Sequence, residues 1–182
     1  HSEYEIIYVE KGEGDCLVGD SIISYSKGDL ILFGSELPHS MQSPPDDGEE
    51  SDNEEKSELK VRGVNIQFEK DFMHYSISQY SQFIPIRNLL EDACRGIKFT
   101  ITRSGKIIKL LKQIPSAKGV DQIILLLSLL QMMATSNHRK YLTTSHYTPS
   151  PSIMRNERME KVIAYLNKHY TESIGLDEIA SY

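Results

Sequence analysis

The sequence predicts a mainly β protein with added α-helices, a sandwich or barrel of short antiparallel strands followed by a helical segment. Three observations carry this reading. Short β-branched and aromatic runs alternate with glycine-containing turns over residues 3–33. The apolar period then shifts from that of strands to that of helices after Asp71. Finally, 182 residues with 39% hydrophobic content suffice for a core of ordinary size in one or two domains.

The first run, Glu5-Ile6-Ile7-Tyr8-Val9, ends in the turn cluster Lys11-Gly12-Glu13-Gly14. Cys16-Leu17-Val18 follows and turns at Gly19-Asp20, Ser21 to Tyr25 turns at Lys27-Gly28-Asp29, and Leu30 to Phe33 comes next. Short strands punctuated in this way are the mark of antiparallel sandwiches and barrels. A further strand over Leu59 to Phe68 resumes the pattern through Val61, Val64, Ile66 and Phe68.

The net charge of −6 belongs to one segment. Between Asp46 and Glu58 eight acids stand against Lys56, a local balance of −7 that leaves +1 for everything else. With Pro44-Pro45 and no apolar residue from Ser43 to Ser57, this stretch has nothing to bury and is expected to be a solvated, mobile acidic loop over residues 43–58.

Helices dominate the second half. Phe83 to Leu90 reads as a helical turn with Pro85 near its start, and Gly96 to Phe99 as a brief extended piece. Ile107, Ile108, Leu111 and Ile114 recur at helical spacing with Lys106, Lys109 and Lys112 opposite, which makes an amphipathic helix ended by Pro115. The seven basic residues from Arg95 to Lys118, with no acids and no interleaved aromatic platform, read as a solvated face rather than a nucleic-acid surface.

The next helix, Val120 to about Asn137, is apolar nearly all round. Such a helix must be covered on every side, and a second subunit is the expected cover, through Ile123, Leu126, Leu127, Leu130 and Met133. Ser128 and Gln131 interrupt its longest apolar run, so it falls short of the roughly 18–20 residues of a membrane span, and no membrane partner is expected.

Thr143 to Ser152, with Pro149 and Pro151 among polar residues, reads as a linker. Past it, Met159, Val162, Ile163, Leu166 and Tyr170 outline an amphipathic helix, and Leu176 to Ala180 open another. Cys16 and Cys94, far apart and without a CxxC, read as buried small hydrophobes. The start lacks the basic and apolar regions of a signal peptide, so the cytoplasm is the expected location.

Three patterns, taken together, resemble a known family. His1-x-Glu3-x-Glu5-Ile6-Ile7-Tyr8-Val9-x-Lys11-Gly12-Glu13-Gly14, followed by Gly28-Asp29-Leu30-Ile31-Leu32-Phe33 and Leu37-Pro38-His39, is similar to the sensor barrel of AraC-type transcriptional regulators. The two helices between Ser104 and Asn137 stand where such regulators carry their dimerisation helices. Val162 to Tyr170 and Ile174 to Ala180 resemble the opening of their helix-turn-helix domain, with Gly175 where the family often has Ser.

The resemblance implies a cupin-like (double-stranded β-helix, jelly-roll) barrel followed by helices, in four parts. Residues 1–100 would be the effector-sensing barrel, 101–142 the dimerisation helices, 143–152 the linker, and 153–182 the truncated start of the DNA-binding domain. The implied function is ligand sensing and dimerisation in a regulator that answers to a small molecule, a sugar being the class the family suggests. Promoter DNA would be a partner of the full-length protein only. Ile153 to Tyr182 hold four Lys/Arg against five acids, so no residue of this chain is expected to bind DNA specifically.

Candidate ligand-binding residues are His1, Glu3, Glu5, Ile7 and His39, with Ile7, Val9, Ile31 and Phe33 as walls. Strand alternation puts His1, Glu3, Glu5, Ile7 and Val9 on one face, without saying which way that face points.

The alternative is a metal-binding cupin, an enzyme or a metal-dependent sensor, whose pattern resembles His-x-His, then Glu, then a later His. Here His1 and His39 fit, Glu3 stands where the second His belongs, and Ile7 or Tyr8 stands where Glu belongs. No catalytic residue, metal ligand or cofactor is assigned on this pattern. No nucleophile–base constellation, phosphate loop or HExxH is present, and an enzyme is not expected.

Overall fold

The computed structural model describes residues 1–42, 61–101, 105–148 and 165. The acidic loop 43–58 and the expected start of a helix-turn-helix domain, 153–182, lie outside the described residues apart from Tyr165. The chain divides into two units, His1–Pro149 and Ser150–Tyr182, and the barrel and its helices lie in the first.

Eight strands and four α-helices are assigned among the described residues. The strands are β1 (Tyr4–Lys11), β2 (Glu13–Val18), β3 (Ser21–Ser26), β4 (Leu30–Phe33), β5 (His39–Gln42), β6 (Arg62–Phe68), β7 (Ile97–Phe99) and β8 (Arg139–Tyr141). The helices are α1 (His74–Gln79), α2 (Ile84–Asp92), α3 (Gly105–Gln113) and α4 (Val120–Ala134). A five-stranded sheet runs β6-β1-β4-β7-β8 and a three-stranded sheet runs β3-β2-β5, with every pairing antiparallel. The mainly β class with appended helices is therefore the class of this chain.

The two sheets close on one another through the inner faces of their strands. Val9, Ile31 and Phe33 from the larger sheet meet Cys16, Val18 and Tyr25 from the smaller one, and Leu37 and Leu142 join them. The other face of the larger sheet is covered by helices. There Ile6, Leu30, Leu32, Ile66 and Phe68 pack with Ile86 and Leu89 of α2, Leu111 of α3, and Leu126, Leu129, Leu130 and Met133 of α4. The larger sheet is thus buried on both faces at β4, whose four residues are all buried. That is why Leu30-Ile31-Leu32-Phe33 is an unbroken apolar run rather than an alternating one.

The turn before β4 shows how local sequence sets this geometry. Gly28 takes φ +93°, a left-handed conformation that glycine adopts without steric cost. Asp29 then accepts a hydrogen bond from the Ser26 amide at 2.7 Å and pairs with Lys98 Nζ at 2.6 Å. The Val9 amide donates to the Asp29 carbonyl at 2.9 Å, which locks the turn to β1.

Three elements differ from the sequence expectation. β5 and α1 are additional, and the segment 101–142, expected to hold the dimerisation helices, ends in β8, which pairs with β7 and completes the larger sheet. The expected dimer contacts also need correction. Leu126, Leu130 and Met133 are buried inside this chain's own helix-side core, because that stripe of α4 covers the larger sheet and α2. Leu127 is partly buried against the same core, and Ile123 is exposed, together with Val120 and Ile124.

Candidate functional site

The odd-numbered face of β1 points between the sheets. Glu5 stands opposite Phe33 of β4 and Gln67 of β6, and Ile7 stands opposite Ile31 and Asn65. His39 opens β5 in the other sheet, opposite Val18. A carboxylate from one sheet and an imidazole from the other therefore meet across the interior.

Glu5 is only 5% exposed, and a buried carboxylate must be paired or hydrogen-bonded. Both of its oxygens are engaged. Oε1 accepts from Asn65 Nδ2 at 2.5 Å and from Gln67 Nε2 at 2.9 Å. Oε2 faces His39 Nε2 at 2.6 Å and His1 Nε2 at 3.3 Å. Burial alone would push the Glu5 carboxyl up. The hydrogen bonds from His39, Gln67 and Asn65, with the charge of His39, outweigh it and hold the group below the usual carboxylate range.

The imidazoles are positioned from behind. His39 Nδ1 lies 2.8 Å from the Leu37 carbonyl, which can only accept, so Nδ1 carries a hydrogen and donates it. The His39 ring also stacks on Phe33, with centroids 4.1 Å apart and planes 5° from parallel. His1 Nδ1 lies 3.3 Å from Glu3 Oε2, and its ring meets the edge of His39 at 5.2 Å. The backbone of His1 is tied down as well: its carbonyl accepts from the Glu36 amide at 3.0 Å, while Ser35 Oγ donates to the Ser2 carbonyl at 2.6 Å.

Next to this cluster is a cavity of about 250 Å³ lined by Ile7, Val9, Tyr25, Met41, Gly63 and Asn65, among others. Its walls are mostly apolar. Asn65 lines the cavity and also donates to Glu5, so the polar cluster and the apolar cavity share a residue.

Of the five expected ligand-binding residues, His1, Glu5 and His39 converge, Glu3 buttresses His1 from the rim, and Ile7 lines the cavity. Val9, Ile31 and Phe33 do form the inner wall. Asn65, Gln67, Tyr25 and Met41 lie outside the sequence expectation. A signal for the first two exists in the sequence, since Asn65 and Gln67 alternate with Val64, Ile66 and Phe68, but only the register with β1 shows that the polar face of β6 is turned towards Glu5.

Residues 1–52 match the family model of the AraC-like ligand binding domain. The match takes in β1 to β5 and all three converging residues, and its likeness to AraC-type regulators is the one implied by the sequence motifs. No curated protein matches the sequence. Among solved structures, the chain is similar to that of ToxT from Vibrio cholerae O395 bound to (E)-4-(8-methylnaphthalen-1-yl)but-3-enoic acid. The two are 12% identical with a TM-score of 0.42, over 99% of this chain and 62% of the other. The chain thus spans less than two thirds of that structure. Within and beside the segment that matches the family model, the Glu5 cluster and its adjoining cavity form a built polar site. No helix among those residues is long and apolar enough to cross a membrane.

Proposed function

We propose that this chain is the effector-sensing and dimerising region of an AraC-type transcriptional regulator, non-enzymatic and cytoplasmic, with the space between the sheets as its effector site. The observation that carries the reading is the pairing of an apolar cavity with an oriented polar end, to which the segment matching the AraC-like ligand binding domain contributes His1, Glu5, Ile7 and His39. Ligand sites commonly have this make-up, and about 250 Å³ lies just under the range of roughly 300–1,000 Å³ usual for them. A small molecule is therefore the matching class. Carboxylate, amide and imidazole groups can exchange hydrogen bonds with hydroxyls, which favours a sugar or another polyol.

Effector binding acts on a regulator only if it favours one arrangement over another. The dimer contact would use the part of α4 left uncovered, Val120, Ile123 and Ile124, with Leu127 beside them. In the full-length protein two DNA-binding domains would then read paired half-sites in promoter DNA.

The test is a thermal-shift screen of small polyols, sugars and carboxylates. A ligand at about 100 times its Kd should stabilise the fold by about 2.7 kcal/mol. Met41→Trp, which fills the cavity, should abolish the response while leaving the unliganded fold intact. A shift that survives this substitution would place the ligand elsewhere.

A further inference from the structure

We propose that His1, Glu5 and His39 form a binding site for a divalent first-row transition-metal ion at one end of the space between the sheets. The inference stands on the ligand geometry and does not depend on the effector reading.

Each residue offers one atom, and the three atoms lie within 4.8 Å of one another. Atoms bound to one ion at about 2.0–2.1 Å, with angles of about 90–109° between them, are about 2.8–3.4 Å apart. The His1 Nε2 to Glu5 Oε2 separation of 3.3 Å falls within that interval. The 2.6 Å separation from His39 Nε2 needs to open by a few tenths of an ångström, which side-chain torsions of Glu5 supply.

The shell behind the ligands is the stronger argument. Metal-bound imidazoles characteristically donate their other ring N–H to a carbonyl or carboxylate, and metal-bound carboxylates are themselves hydrogen-bonded. Here His39 Nδ1 donates to the Leu37 carbonyl and His1 Nδ1 faces the Glu3 carboxylate, which turns both Nε2 atoms towards Glu5 Oε2. Asn65 and Gln67 occupy Oε1 and leave Oε2 to the imidazoles.

Two imidazoles and one carboxylate suit ions such as Zn²⁺, Fe²⁺, Co²⁺ or Ni²⁺ better than Mg²⁺ or Ca²⁺, which favour all-oxygen shells. Three protein ligands leave positions open for water or for an exogenous donor.

The test uses the 182-residue chain, stripped with a chelator and titrated with Co²⁺ and with Zn²⁺. Uptake of about one ion per chain is expected, with a Co²⁺ visible spectrum of mixed nitrogen and oxygen ligation. Loss of Glu5 or His39 (E5Q, H39Q) should weaken binding at least about tenfold, as removal of even outer-shell partners of a metal typically does. The remote variant H138Q should bind as the parent does. Because E5Q alters a buried group, H1Q at the exposed rim is the second variant, its fold checked by circular dichroism, and it too should bind more weakly. Absence of stoichiometric uptake by the folded parent, or undiminished affinity in H1Q and H39Q, overturns the proposal. Metal uptake is read without any effector, so a failed effector screen leaves this result untouched.

Discussion

Asp20, in the turn between β2 and β3, accepts hydrogen bonds from both the backbone amide and the side-chain hydroxyl of Thr144, 124 residues further along the chain. The amide contact is 3.1 Å long. Arg95 Nη2 donates to the Thr144 carbonyl at 3.1 Å and the Tyr147 ring lies against Gly19, so the segment just past β8 is fastened to the smaller sheet. The beginning of the expected linker is thus part of the barrel's surface rather than a free tether. Chiefly through these Thr144 hydrogen bonds, the Asp20 carboxyl is held below its ordinary value of 3.8. A depressed carboxylate stabilises the contact fully above its ordinary value, and the contribution is lost as pH falls through the lowered one. The Thr144 amide resonance should therefore titrate with a midpoint below 3.8, and Thr144→Ala should return Asp20 towards its ordinary value. An unshifted midpoint would mean that the fastening is absent in solution.

The two sides of α4 should respond in opposite ways. Leu129 is fully buried in the helix-side core, so Leu129→Ala should cost about 2–5 kcal/mol in urea unfolding. Ile124 is 54% exposed, so Ile124→Asp should change stability by less than about 0.5 kcal/mol while reducing the mass seen by light scattering to that of a monomer. A monomeric parent protein would remove the basis for the dimer.

Gly34 follows β4 at a close approach of two backbones. Its amide donates to the Ala93 carbonyl at 2.8 Å, and an added Cβ would come within 2.6 Å of that oxygen. Backbone atoms cannot swing away as a side-chain tip can. Gly34→Ala should therefore destabilise by about 1–3 kcal/mol, whereas Gly105→Ala, with nothing near its added Cβ, should not.

The two thiols should differ in reactivity. Cys16 is fully buried and its thiol is pushed up to about 11 by burial, so almost none of it is thiolate near neutral pH. Cys94 is half-buried. Iodoacetamide at about pH 8, near the ordinary range of a free thiol, should modify Cys94 first and reach Cys16 only at the rate of unfolding. Equal rates would contradict the described packing of the inner core.

Much of this fold is legible in the residues, and the gaps have physical causes. Gly28-Asp29 announces the turn before β4, and the four apolar residues after it announce a doubly covered strand. His39-Ser40-Met41-Gln42 gives a weaker sign, because one side of β5 faces solvent and the other carries a polar side chain, His39, as well as an apolar one, Met41. Arg139-Lys140-Tyr141 has almost no intrinsic strand signal and is a strand because β7 offers it an unpaired edge. The direction of the Glu5 face is not readable from β1 alone, since Tyr4, Ile6 and Tyr8 make its other face equally apolar. Pairing with β4 and β6 decides it. Likewise, a helix greasy all round announces that it needs cover but not which stripe its own chain supplies, and the pattern alone assigns Leu126, Leu130 and Met133 to a partner for that reason.

Neighbouring residues of β4 belong to opposite compartments: Ile31 and Phe33 to the space between the sheets, Leu30 and Leu32 to the core beneath the helices. A strand this short cannot move one pair and leave the other in place. Any displacement of Phe33, against which the His39 ring lies, would therefore bear on Leu30 and Leu32 and on the core they share with α4 on the reverse side of the sheet.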